Sequence, residues 1–220
     1  MKKTNYKYLN IKGAVLDNYQ LEQYMEKIAT SHDVELTSNI ATYPIPRLKD
    51  NYRFIEKTYD LLNKHIKMGI NLYPAGEWLL DNFYIIEETF KTVCKEMTIT
   101  KYKKLPGITT GMYKGFSRIY VVASEIVAYT DNKINDEILS MAISAYQRRK
   151  TLAMEEIWNL WIFLEIAIIE NIRNICEKIY SSQVQKYKVE SIIERLVEKK
   201  EANTQVFKPI KDEYKENVSY

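Results

Sequence analysis

Four polar side chains recur on one face of the segment Pro74–Glu88. Glu77, Asp81, Tyr84 and Glu88 follow one another at spacings of four, three and four, which stacks them in a single stripe if the segment is helical. Pairs of carboxyl groups about 5 to 10 Å apart are what glycoside hydrolysis uses, one as acid and the other as base or nucleophile. A stripe of this kind beside Trp78 and Asn82 also describes a solvated helix edge, or a set of buried groups that need partners. Further acids lie within apolar helical segments: Glu125, Glu156, Glu165, and Glu170 next to Asn171. A buried carboxylate requires a cation or several donors. Arg118, Arg173 and Arg53 suit that task, because a planar guanidinium pairs bidentately. Structural pairing is therefore the expectation for these acids, with sugar contact as the alternative and hydrolysis behind both. Trp78, Trp158, Trp161, Tyr84, Tyr120 and Tyr146 could form a platform on which sugar rings stack. Their spacing is that of a helical core, however, which predicts that they are buried.

Other site chemistries find little support. His32 and His65 are isolated, and Cys94 and Cys176 are far apart in the chain, so no metal ligands are assigned. Glycine-rich phosphate motifs are absent, and no Ser, Thr or Cys has a candidate base with an orienting group close in sequence. No catalytic residue and no cofactor is assigned. The basic run Lys101 to Lys104 reads as a solvated loop, with anionic headgroups or a nucleotide-sugar phosphate as the alternative.

The elements that would position these residues are helices. Asp17 or Asn18 can cap one that runs to about Ser31, with Leu21, Tyr24, Met25 and Ile28 as its apolar stripe. His32 to Thr42 is a connection, with a weak strand candidate at Asp33 to Thr37. Pro46 opens a helix carrying Leu48, Tyr52, Ile55, Tyr59, Leu62 and Ile66, which Gly69 ends. Pro74 suits the first turn of the next helix, to about Met97, with Trp78, Leu79, Asn82, Phe83, Ile85 and Ile86 as its buried face. Thr98 to Gly115 is a connection, followed by helices over Ser117–Thr130 and from Asn135 or Asp136 to Tyr146. The longest helix, about Met154 to Ile179, is apolar on nearly every side and belongs at the centre of a bundle. A separate amphipathic helix follows from Gln183 to Lys200. The pattern predicts an all-α, multi-helix bundle of about seven to eight helices. Residues 1–15 form an arm, 16–182 the bundle, and 183–220 C-terminal helices. Pro209 to Tyr220 begins a helical pattern without capping or apolar closure, so the chain is expected to continue in a longer parent.

With 220 residues, 46% hydrophobic, the chain can bury one substantial core. Its 32 basic and 29 acidic residues nearly balance, which gives no argument for nucleic acid. The two cysteines read as buried free thiols of a reducing compartment. The N-terminus has no apolar core of a signal peptide. The most apolar run, Trp158 to Ile169, falls short of the about twenty residues a spanning helix needs.

The segment Glu77-Trp78-Leu79-Leu80-Asp81-Asn82-Phe83-Tyr84-Ile85-Ile86-Glu87-Glu88 closely resembles a motif near the N-terminus of cyclic β-1,2-glucan synthases. These are very large membrane proteins that join a glucosyltransferase to a module like the cellobiose phosphorylases. The resemblance continues at Lys103-Lys104-Leu105-Pro106, Arg118-Ile119-Tyr120, Glu125 to Asp131, Ala145-Tyr146-Gln147, Glu156-Ile157-Trp158 and Ile168 to Arg173. It thus spans roughly residues 46 to 180 in order. The family usually carries a proline and then a basic residue after the Glu-Ile-Trp step. Trp161 and Glu165 occupy those positions here, which implies a straighter helix and an inverted charge. The Asp-x-Asp type metal and sugar-nucleotide site of such transferases is also missing. The resemblance implies a non-catalytic helical N-terminal domain on the cytoplasmic side of a membrane-bound bacterial parent. That parent would use UDP-glucose, and this domain would scaffold or position its transferase module. The implied partner is the remainder of the parent polypeptide, with a β-glucan oligosaccharide as a further candidate. Contact with the membrane comes only through the parent, and nucleic acid is not a partner. A glucan-binding module and a helical protein-interaction adaptor are the alternatives, the adaptor predicting an exposed apolar patch after Gln183.

Overall fold

A computed structural model describes residues 9, 11, 14–36 and 42–216, with backbone alone for 194 and 197–216. Most of the arm read over 1–15, and the tip of the connection at 37–41, lie outside the described residues. Within them the chain is a helical bundle of seven α-helices and one two-stranded ribbon. The helices are α1 (Asn18–Ser31), α2 (Ile45–Lys67), α3 (Pro74–Glu96), α4 (Ile99–Tyr102), α5 (Arg118–Tyr129), α6 (Asp136–Gln147) and α7 (Met154–Glu216). The chain forms two compact units, one from Met1–Lys57 with Asp81–Cys176 and one from Thr58–Leu80 with Glu177–Tyr220.

In the first unit α1 begins with a capping box. The Asp17 side chain accepts from the Gln20 N–H at 2.8 Å, while the Gln20 side chain accepts from the Asp17 N–H, so two orphan donors are satisfied at once. α1 packs on α6 through Leu21, Met25, Ile28 and Ala29 on one side and Ala142, Ala145 and Tyr146 on the other. Small side chains at two of the three α6 positions leave room for α1. The most enclosed element is α5, buried continuously from Arg118 to Val127. Only two of its side chains are charged, and both find partners inside. The connection after α3 contains α4, capped by Thr98, and the strand β2 (Gly107–Ile108). β2 pairs antiparallel with β1 (Val34–Glu35), Val34 opposite Ile108, and Thr109 N–H donates to the Asp33 carbonyl at 2.8 Å. This ribbon holds the 109–116 loop against the end of α1. Tyr52 stacks on Phe90 with ring centres 4.0 Å apart, tying α2 to α3.

In the second unit α2 ends at Gly69, whose φ of +73° is the left-handed conformation open to glycine at little cost. The turn is closed by Ile70 N–H donating to the His65 carbonyl at 3.0 Å. Gly76 lies against Leu62, where a Cβ would come within 3.3 Å of a methyl carbon. Gln183 of α7 is fully buried and donates to the Asn71 carbonyl.

Three expectations are corrected. The helices read separately over 154–179 and 183–200 are one continuous α7. Ser181 and Ser182 do not break it, because Ser181 bonds back to the Glu177 carbonyl within the helix. α7 is not enclosed on every side. Met154, Ile157, Trp158 and Trp161 are exposed, and the enclosed position belongs to α5. The buried face read on α3 holds at Leu79 and Ile86, but Trp78 and Ile85 are exposed and Asn82 and Phe83 half-buried.

Candidate functional site

The acids divide into two populations. On α3, Glu77, Asp81, Tyr84 and Glu88 are all exposed, so the stripe is a wet helix edge.

The other acids feed a chain of buried polar groups in the first unit. Arg118 opens α5 and meets Glu156 in the first turn of α7, its Nε donating at 2.9 Å and its Nη2 to the second carboxylate oxygen. Glu156 is fully buried and also accepts the Ala153 N–H at 2.8 Å, so it caps α7 while neutralising Arg118. Burial opposes the charge on Arg118, but the Glu156 hydrogen bond and charge prevail, and its pKa is raised. Tyr146 of α6 is buried nearby, its hydroxyl 2.9 Å from His32 Nδ1.

His32, the residue after α1, sits edge-on to Tyr113 of the 109–116 loop with ring centres 6.1 Å apart. Its Nε2 is buried without a partner, and its carbonyl accepts from Lys150. Burial, then the charges of Arg118 and Lys150, hold the His32 pKa down at about 4. Tyr113 donates to Glu125 of α5, and Tyr24 of α1 donates to the other carboxylate oxygen at 2.9 Å. Burial raises the Glu125 pKa above the ordinary carboxylate value, and the two tyrosine hydrogen bonds work against that rise. The Tyr24 ring in turn packs against Tyr129 with ring centres 4.5 Å apart. The same burial, together with the carboxylate, drives both Tyr24 and Tyr113 far above the normal phenol range.

Chemically, this chain of groups is an interlock. Every carboxylate oxygen in it accepts from the protein's own donors, and Glu125, Glu156 and His32 are each buried to 2% exposure or less. A second, smaller group joins Glu170 of α7 to α2. Arg47 donates to Glu170 at 2.8 Å, and Asn51 to the other oxygen. Asn171 donates to the Asn132 side chain at 2.9 Å. Arg173 lies over the Phe54 ring, 5.0 Å from its centre.

Sequence reasoning found Arg118, Glu125 and Glu156 but not the groups that complete their surroundings. Tyr24 was counted as an apolar residue of α1, and its hydroxyl is what matters. His32 and Tyr113 carry no local signal, because the ribbon brings them in. The cation for Glu170 is Arg47, while Arg53 is exposed and pairs with Asp50 on its own helix. The expectation that the tryptophans are core is overturned, with Trp78 53%, Trp158 73% and Trp161 64% exposed. The helix faces opposite them already fill the interior, at Leu79 and Ile86 in α3 and at Leu160, Phe163 and Leu164 in α7.

Among the described residues, no three His, Cys, Asp or Glu side chains come together as a metal site. No described helix is long and apolar enough to cross a membrane. Cys94 and Cys176 are both free thiols; Cys176 is buried and its pKa pushed up to about 12, whereas Cys94 is only half-buried.

Fold and site together define a helical domain whose buried acids are paired with internal donors and whose tryptophans face out. No family model matches the chain. It is similar to the cyclic beta-(1,2)-glucan synthase NdvB of Rhizobium meliloti, with 26% identity over 151 residues. The match covers 69% of this chain but 5% of that protein, so the chain spans about a twentieth of the relative's length. The resemblance read from the motifs thus has an independent counterpart. Arg118, Glu125, Tyr129, Tyr146 and Glu156, all within segments that carry the resemblance, belong to this chain of groups.

Proposed function

We propose that this chain is a non-catalytic helical domain of the kind a cyclic β-1,2-glucan synthase carries, and that it positions the module that polymerises glucose. The observation behind this reading is the similarity to a glucan synthase over 69% of this chain, together with buried acids whose oxygens all accept from internal donors. Groups that stabilise a scaffold are turned inward and saturated by internal donors, whereas groups that act on substrate need access to it. In this reading the parent draws glucose from UDP-glucose at the cytoplasmic side of a membrane. The domain works through the rest of that polypeptide.

A segment exchange tests it. The matching segment of a cyclic β-1,2-glucan synthase is deleted, or replaced by this chain, and glucan formation from UDP-glucose is followed in membranes. The reading predicts loss on deletion and recovery on replacement, with no UDP released by the isolated chain. Release of UDP by the isolated chain, or failure of a folded replacement to restore synthesis, overturns it.

A further inference from the structure

The first turns of α7 present an outward face that the fold does not use. Met154, Ile157, Trp158 and Trp161 recur there at helical spacing, 56%, 38%, 73% and 64% exposed. Glu165 follows Trp161 one helical turn on and is half-buried. We infer that Trp158 and Trp161 form a stacking platform for the sugar rings of a neutral glucan, with Glu165 as a neighbouring acceptor for hydroxyl groups. The inference rests on the glucan-synthase reading for the identity of the sugar.

Charge and area select this occupant. Between Lys150 and Arg173 the sequence has no basic residue, whereas Glu155, Glu156, Glu165 and Glu170 all fall in that stretch. Glu156 and Glu170 are neutralised internally, which leaves exposed Glu155 and half-buried Glu165 beside the tryptophans. An anionic lipid, a nucleic acid or a nucleotide phosphate would meet like charge there. An uncharged polyol instead offers hydroxyl donors to the carboxylate and apolar ring faces to the indoles. Met154, Ile157 and the two tryptophans together expose only a few hundred Å², the size of an ordinary surface patch. A stable protein interface needs about 800 Å² from each partner. The face is therefore too small for a second copy and suited to a few sugar rings.

The test uses the intact chain and the three indole N–H resonances in a nitrogen-15 spectrum, assigned by single Trp→Phe variants. Linear β-1,2-gluco-oligosaccharides are titrated to millimolar levels, with tetramethylammonium as a control. The inference predicts saturable shifts of Trp158 and Trp161 with a Kd of roughly 1 mM, an unmoved Trp78, and at least a tenfold loss of affinity in folded Trp158→Ala. Glu165→Gln is expected to weaken binding less, and to do so without altering the fold. No shift with oligosaccharide, equal shifts at Trp78, or shifts produced by tetramethylammonium overturn it. Self-association that Trp158→Ala abolishes does so as well, by giving the face to a second copy. None of these outcomes bears on the segment exchange, so the platform can fail while the scaffold reading stands.

Discussion

Arg118 and Glu156 illustrate how little a charge needs solvent when its partners are complete. The guanidinium spans both carboxylate oxygens, and the same carboxylate caps a helix. Removing one member strands the other. Arg118→Ala is therefore expected to cost about 3–5 kcal/mol of unfolding free energy in denaturant titrations. Arg53→Ala, at an exposed pair, should cost less than about 1 kcal/mol.

The two titrating residues near the centre of the interlock act in opposite directions. His32 has a folded pKa of about 4, depressed from 6.5, so the folded state binds its proton less readily than the unfolded chain does. The stability His32 contributes is present above pH 6.5 and is lost as pH falls toward 4. Burial pushes the Glu125 carboxyl above its ordinary value of 4.5. Its contribution is present below that value and is lost as pH rises through the folded pKa. Stability measured across this range should lose its acid-side slope in His32→Gln and steepen on that side in Glu125→Gln. An unchanged profile in His32→Gln would remove His32 from this account.

At the scale of elements, much was legible because caps and periodicity are local. Asp17, Asn135 and Gly69 mark ends that the structure confirms through hydrogen bonds or a positive φ. Asp17→Ala should cost about 1 kcal/mol by the loss of its capping bond. Gly69→Ala should cost about as much through left-handed strain. Thermal unfolding of both variants checks these values. What was not legible depends on neighbours far away in sequence. Apolar residues on every side of α7 do not reveal which side lacks a neighbour, and Trp158 carries the same local signature whether buried or exposed. His32 is isolated in sequence, yet it joins α1 to α6 because β1 and β2 pair across more than seventy residues. The distal part of α7 shows the same ambiguity, with Val189, Ile192, Ile193 and Leu196 all exposed.

At the scale of the whole molecule, the buried charges pair with one another while the tryptophans and the α3 stripe face out. The motifs that carry the resemblance lie on both sides of that divide, with Glu77 to Glu88 largely on the exposed edge of α3 and Arg118, Glu125 and Glu156 buried. The central claim is that the buried acids act through structure alone. Its most direct measurement is glucan synthesis by the exchanged synthase carrying Glu125→Gln, a change that keeps shape and one of the two oxygen acceptors while removing the charge. The account predicts synthesis within about twofold of the unmodified exchange, provided the variant remains folded. A folded variant with at least a tenfold loss, about 1.4 kcal/mol in activation free energy, would make Glu125 a participant in the chemistry and contradict the account.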